Sequence, residues 1–103
     1  MARWTNTYKD TIHLTTISEQ MPIAGIVRLE LLNGIILEGV IRRLHLGNNA
    51  GEGGWKYYGE CELEDVNKQR YVVDYLDIMN AKNIWTDEKA KEYEALGLIT
   101  ILK

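Results

Sequence analysis

A group of side chains suited to contact nucleic-acid bases lies around the glycine-rich segment GNNAGEGG, residues 47–54. His45 precedes this segment, Asn48 and Asn49 lie inside it, and Trp55 follows it. Aromatic rings stack on unpaired bases, and amide side chains hydrogen-bond base edges. These residues could therefore hold single-stranded nucleic acid. Their alternative roles are structural: turn formation for the asparagines, and strand packing for His45 and the aromatic group that Trp55 begins.

Arg43 and Tyr75 are two further candidates, one for a phosphate group and one for a base. Arg42 and Arg43 are adjacent on a predicted strand, so they should point to opposite faces and at most one should face a given ligand. A solvated surface is the alternative place for Arg43, and the core is the alternative place for Tyr75.

The sequence offers little for catalysis. Cys61 is the sole cysteine and lies on an ordinary predicted strand, with nothing nearby that would lower the pKa of its thiol. His13 and His45 do not complete a spaced set of zinc ligands. The glycine-rich segment lacks the Gly-Lys-Ser/Thr ending of a phosphate-binding loop. We therefore expect no enzymatic activity, no metal and no cofactor.

The composition fits one small cytoplasmic domain. The chain has 103 residues, and no apolar run approaches the ~20 residues that cross a bilayer. Its N-terminus lacks the apolar core of a signal peptide. The formal net charge is -3, and most of the acidic excess lies in the second half. Because affinity for phosphate backbones comes mostly from cationic side chains, any anion-binding surface should lie in the first half.

A β-hairpin is the clearest element that could position these candidates. Apolar and charged residues alternate from Val27 to Leu31, which is typical of a half-buried strand. Asn33-Gly34 is a strong hairpin-turn signal, and Ile35 to Leu46 is the predicted second strand. A glycine inside a strand, here Gly39, indicates a bend or a close backbone approach. A small closed barrel needs such bending.

Further strands and two helices are predicted around this hairpin. The terminal LITILK is an apolar tail that should add a strand. On the predicted third strand, Glu60, Glu62 and Glu64 share one face, which we interpret as exposed to solvent. The predicted elements are a short helix within residues 5–21 ended by Pro22 and Gly25, strands at Trp55 to Asp65, Arg70 to Met79 and Ala81 to Trp85, and a helix over 87–96 between Thr86 and Gly97.

The hairpin resembles the first motif of the Sm and Sm-like (LSm) family. That motif has alternating apolar residues, an Asp/Asn-Gly turn and a glycine five residues later. The resemblance covers about residues 26–85 and includes the segment ELED. It implies a mainly β fold: a strongly bent, five-stranded antiparallel SH3-like barrel with a short N-terminal helix and a C-terminal helix plus strand. The matching residues are Val27, Leu29, Leu31, Asn33, Gly34, Gly39, Ile41 and Leu44.

The chain also departs from the family pattern. His45 stands where the family usually has Asp, and Asn48 or Asn49 would substitute for the asparagine of the base pocket. The second motif of the family contains Ile-Arg-Gly, whose arginine helps to bind the nucleotide. Here Asp74 and Tyr75 replace Arg-Gly, and an acidic residue would repel phosphate. The resemblance thus implies the fold and the assembly mode more strongly than the uridine pocket.

The resemblance implies self-assembly. Sm-like proteins pair the fourth strand of one subunit with the fifth strand of the next, which closes a ring of about five to seven identical subunits. The candidate interface residues are Tyr71, Val73, Tyr75, Ile84 and Trp85, and their alternative role is to fill the core.

The sequence therefore predicts a ring-forming Sm-like protein that binds single-stranded RNA in RNA metabolism. One alternative is an oligomeric scaffold or protein-interaction ring that has lost the base pocket. A weaker one is a monomeric SH3-like adaptor. The predicted organisation is an N-terminal segment over residues 1–25, the barrel over 26–85, and a C-terminal helix and tail over 86–103.

Overall fold

The computed structural model describes residues 3–49 and 56–101. The described residues form five strands, two α-helices and one 3-10 turn. In chain order these are α1 (Tyr8–Gln20), β1 (Ile26–Leu31), β2 (Ile36–Asn48), β3 (Tyr57–Glu64), β4 (Arg70–Asp74), the 3-10 turn (Tyr75–Asp77), β5 (Ile78–Asn83) and α2 (Asp87–Ala95).

The strands form one antiparallel sheet in the order β4-β3-β2-β1-β5, so β4 and β5 are its two edges. Val73 of β4 and Ile78 and Ala81 of β5 nevertheless belong to the same buried apolar cluster. Strands at opposite edges can share one core only if the sheet bends round it. The prediction of a mainly β fold with a bent five-stranded sheet and a helix near each end is confirmed.

Two features of the long strand β2 favour bending of the sheet. A Cβ atom at Gly39 would lie 2.7 Å from the carbonyl oxygen of Glu64 in β3, so the close backbone approach expected at this glycine is confirmed. The β2–β3 register also shifts between Ile41 and Arg43. A bulge of this kind bends the bulged strand and increases its twist.

Helix α1 confirms the short N-terminal helix expected within residues 5–21. The Thr7 hydroxyl accepts a hydrogen bond from the Asp10 N–H at 3.1 Å, which caps the helix start. The helix ends at Gln20, shortly before Pro22. Leu14 and Ile17 are buried and belong to the main core cluster, so α1 packs directly on the sheet.

The signals predicted for α2 are confirmed at both ends. The Thr86 hydroxyl accepts from the Lys89 N–H at 3.0 Å. At the other end Gly97 has φ +76, its N–H donates to the Glu94 carbonyl, and the Leu98 N–H donates to the Tyr93 carbonyl at 3.0 Å. This pair of bonds is the Schellman arrangement.

Two predicted strand boundaries are wrong because of one side chain, and a third is wrong beside them. The strand predicted over residues 70–79 ends at Asp74, whose carboxylate accepts from the Leu76 N–H at 2.9 Å and caps the 3-10 turn. The chain therefore turns at residues 75–77, and β5 begins at Ile78 rather than at Ala81. It ends at Asn83 rather than at Trp85.

The strand predicted at the C-terminus is also wrong for residues 98–101, which form no strand. Leu98 packs with Tyr93 in a second buried cluster on the sheet. The Leu98 carbonyl accepts from Arg42 Nη2 at 2.6 Å, and the Ile101 N–H donates to Glu94 Oε2 at 3.0 Å. These backbone groups are satisfied by side chains, so the segment does not need a neighbouring strand.

Candidate nucleic-acid interface

Three aromatic rings meet at the outer face of the β2–β3 hairpin. The Tyr58 hydroxyl and His45 Nε2 are hydrogen-bonded at 3.0 Å, and their rings meet edge to face with centroids 5.2 Å apart. Trp4 meets the other side of Tyr58 with centroids 5.0 Å apart. About half of the His45 side chain and 37% of Trp4 remain exposed. We call His45, Tyr58 and Trp4 the aromatic trio; its exposed rings are available for stacking.

A cleft of about 250 Å³ lies beside the trio, between α1 and the end of the hairpin. Asn48 lines it together with Tyr57 and Tyr58, and the helix contributes the hydroxyl groups of Thr15 and Ser18. The structure therefore brings His45 and Asn48 to the same end of the sheet. Trp4 and the helix hydroxyls come from residues 3–20, and no spacing in the sequence connects that segment to the hairpin.

Asn49 closes the hairpin instead of facing the cleft. Its side-chain oxygen accepts from the Lys56 N–H at 2.9 Å, and its own N–H donates to the Lys56 carbonyl at 3.1 Å. This is the turn-forming alternative for an asparagine. Trp55, another candidate for base stacking, lies outside the described residues.

Arg42 and Arg43 lie on the same face, so the expectation that they point to opposite faces is wrong. Arg43 is exposed and lies opposite Glu62 in the sheet register. Arg42 Nη2 contacts Glu64 Oε1 at 2.7 Å, and Glu62 and Glu64 share one face of β3. The bulge at Arg42 shifts the alternation by one residue. Arg43 is therefore the better placed of the two arginines for a phosphate.

The glutamates of β3 do not form a solvated face. Only 12–23% of the side chains of Glu60, Glu62 and Glu64 is exposed. Arg42 and Arg70 cover Glu64, and Arg70 also lies 3.7 Å from Glu62. The glutamates thus engage these two cations, which leaves less positive charge for a nucleic acid.

Tyr75 cannot act as a base-stacking residue or as an exposed interface anchor in this subunit, which corrects both predictions. It is 1% exposed, and a Cβ atom at Gly59 would lie 2.7 Å from its ring. Burial, with a smaller contribution from Cys61, raises the pKa of Tyr75 to about 12. The residue is part of the main core.

The other interface candidates divide by exposure. Val73 is buried in the main core and Ile84 packs against the second cluster, whereas Tyr71 is half-buried and Trp85 is 45% exposed. Val72, which is 57% exposed, is the apolar residue that β4 presents to solvent. Alternation in YVVDYL gives the apolar set Tyr71, Val73 and Tyr75, but it does not indicate whether this set packs in the core or against another subunit.

Asp74, which replaces the arginine of the family motif, is not an isolated negative charge. The Arg3 N–H donates to Asp74 Oδ2 at 2.9 Å, and Arg3 Nε lies 3.2 Å from the same oxygen. About 60% of the Arg3 side chain is exposed. A cation from the N-terminal segment therefore lies beside the position where the family has one.

Cys61 has the properties of a core residue. It is 1% exposed, and burial, followed by the charge of Glu60, raises the pKa of its thiol to about 12. A thiol is a nucleophile only as thiolate, which is scarce at neutral pH with such a pKa. Among residues 3–49 and 56–101, no cluster of three or more His, Cys, Asp and Glu side chains could hold a metal ion.

Neither helix in the described part of the chain is long and apolar enough to cross a membrane.

No protein-family profile and no curated protein matches the sequence. Among solved structures, the chain is similar to XC5848 from Xanthomonas campestris, whose crystal structure is described as a novel variant of the Sm-like motif. The two chains are 13% identical with a TM-score of 0.53, over 82% of this chain and 96% of that one. This chain therefore has an Sm-like fold.

Proposed function

We propose that this Sm-like chain is a subunit of a homo-oligomeric ring that binds single-stranded RNA on one of its faces. The observation that carries the proposal is the sheet order, in which β4 and β5 are both edges and pair with different neighbours. Unpaired edge strands are prone to add another strand. A head-to-tail contact between β4 and the β5 of a second copy is heterologous, and it closes into a ring if the rotation fits.

Exposed apolar side chains beside both edges support this assembly. Next to β4 lies a groove of about 260 Å³, which Leu32 and Val72 line with 60% and 57% exposure. At the end of β5 a groove of about 440 Å³ runs from Asn83 past Trp85 to α2. A neighbouring β4 laid along β5 would bring Val72 towards Trp85. Exposed aromatic residues are typical of interface centres.

The aromatic trio supports RNA binding by base stacking, a contribution worth about 1–3 kcal/mol per base. Tyr58 of the trio also lines the cleft that Asn48 lines, so stacking and base-edge hydrogen bonding would both take place at this end of the hairpin. Binding of this kind needs no catalytic group. We propose a cytoplasmic location, where the lone thiol of Cys61 would remain reduced.

The test combines native mass and RNA affinity. Light scattering on nuclease-treated protein should give about five to seven times the monomer mass. Labelled oligo-U or oligo-A should bind at low salt, and His45→Ala should weaken binding about fivefold or more, because a stacking ring is lost. Lys91→Ala, on the exposed side of α2, is the matched control and should leave affinity unchanged. A monomer, or a ring that binds neither RNA, would contradict the proposal.

The second candidate is a protein-interaction ring without RNA. It is favoured by the ion pairs of Arg42 and Arg70 with the β3 glutamates, which reduce the positive charge that this face offers to a phosphate. The same measurements separate the two functions. A ring of unchanged mass that shows no anisotropy change with either RNA would support the scaffold and exclude RNA binding.

A further inference from the structure

Two polar side chains lie beside the buried centre of α1, on the side of the helix that meets the sheet. His13, Ile17 and Gln20 are spaced by four and three residues, so they lie along one side of the helix. Ile17 is completely buried in the main core. His13 is half-buried and Gln20 is exposed, and each of them nevertheless has a polar partner in the sheet.

Those partners are backbone groups of β5. The Ala81 N–H donates to Gln20 Oε1 at 2.9 Å, and His13 Nε2 is hydrogen-bonded to the Ile78 carbonyl at 2.6 Å. The Ile84 N–H donates to the Ile26 carbonyl, so alternate residues of β5 face β1 and Ala81 faces the outer side. Helix α1 therefore occupies part of the edge of β5 that lies away from β1.

The two edge strands of the sheet differ in whether side chains already hydrogen-bond their outward backbone groups. Within residues 3–49 and 56–101, no side chain hydrogen-bonds the backbone of Tyr71, Val72 or Val73 in β4. Among the strands of the described residues, β3 alone pairs with β4. β4 is thus ready to pair with another strand, whereas β5 has already satisfied an N–H and a C=O through α1.

We propose that the polar side of α1 competes with the β4 strand of a second copy for the outer edge of β5. Assembly then requires Gln20 and His13 to release the backbone of Ala81 and Ile78, and the incoming strand supplies the replacement bonds. Helix α1 holds the free subunit in a monomeric form at low concentration. This mechanism rests on the proposed β4–β5 contact and adds the step that controls it.

The test removes one of the two hydrogen bonds without changing side-chain length. Gln20→Met leaves the Ala81 N–H unpaired in the free subunit, so an incoming strand gains that bond without competition. A hydrogen bond of this type corresponds to about a two- to tenfold change in an equilibrium constant. The concentration at which the protein assembles, measured by analytical ultracentrifugation, should fall by that factor. Gln20→Glu, which keeps an acceptor at neutral pH, is the matched comparison and should assemble at the wild-type concentration or a higher one, because a charged acceptor holds the Ala81 N–H at least as strongly.

A second measurement uses the unmodified chain. The NMR resonance of the Ala81 amide should shift between dilute and concentrated samples, because its acceptor changes from a side chain to a backbone carbonyl. If Gln20→Met assembles at the same concentration as the wild type and the resonance does not shift, the competition is disproved while the ring stands. If all three proteins are monomers at every concentration, the ring and the competition both fail.

Discussion

At the scale of single residues, close contacts decide what each position can hold. His45 keeps about half of its side chain exposed although it bonds Tyr58, so it can meet a ligand without losing its support. Tyr75, an equally good stacking residue by type, is enclosed by Gly59 and the core. Residue type proposes a role, and exposure decides whether the side chain can fulfil it.

Gly39 provides the sharpest test at this scale. In Gly39→Ala the new methyl group would lie 2.7 Å from the Glu64 carbonyl oxygen, so the β2 and β3 backbones would have to separate. Overpacking of this kind costs about 1–3 kcal/mol, and urea denaturation should show that loss in the free energy of unfolding. The control is Gly34→Asn, at a turn with φ +88 and nothing near the added Cβ. An asparagine at this positive φ carries backbone strain but no overpacking, so it should lower stability by about 1 kcal/mol or less. Equal effects at both glycines would contradict this explanation.

At the scale of elements, one carboxylate links α2 to the sheet. Glu38 of β2 contacts Arg28 Nε of β1 at 2.9 Å and Lys89 Nζ of α2 at 3.3 Å. Burial alone would raise the pKa of Glu38, but the hydrogen bonds and charges of Lys89 and Arg28 outweigh it and lower the pKa below the usual 4.5. The charged carboxylate is therefore favoured in the folded protein.

The lowered pKa predicts a pH-dependent contribution of α2 docking to stability. The contribution is present above the unfolded-state pKa and is lost as the pH falls through the folded-state value. Glu38→Gln should lower the free energy of unfolding by about 0.5–1 kcal/mol at pH 7, and the difference from the wild type should shrink below pH 4.5. Urea denaturation over this range measures it. Glu92→Gln, an exposed position on α2, should show no such dependence. A Glu38→Gln deficit that persists in acid would indicate a packing effect.

At the scale of the whole molecule, charge limits how RNA can be bound. The net charge is -3, and Arg42 and Arg70 contact glutamates of β3. Few phosphate contacts are therefore expected, and binding should depend mainly on bases.

That limit predicts a weak salt dependence. Each phosphate contact with a single strand contributes about -0.7 to the slope of log affinity against log salt. We expect a slope no steeper than about -2 for each bound site, measured by anisotropy titrations at several salt concentrations. Arg43→Ala should make this slope shallower by about 0.7, the contribution of one phosphate contact, and Lys91→Ala should not change the slope. A slope steeper than about -4 would mean that phosphate contacts dominate.

Local signals in the sequence determined several features of this protein. The β1–β2 turn at Asn33-Gly34 and the Thr86 and Gly97 boundaries of α2 each depend on residues within a few positions of each other. Backbone sterics and capping bonds act over that range, so the sequence alone indicates them.

The tertiary structure decided the rest. Four features join segments that lie far apart in the chain. They are the inward face of β4, the bulge that brings Arg42 and Arg43 to one side, the position of Trp4 beside Tyr58, and the contact of Gln20 with Ala81. Which of two apolar faces is buried depends on what packs against it. No pattern within a single strand contains that information.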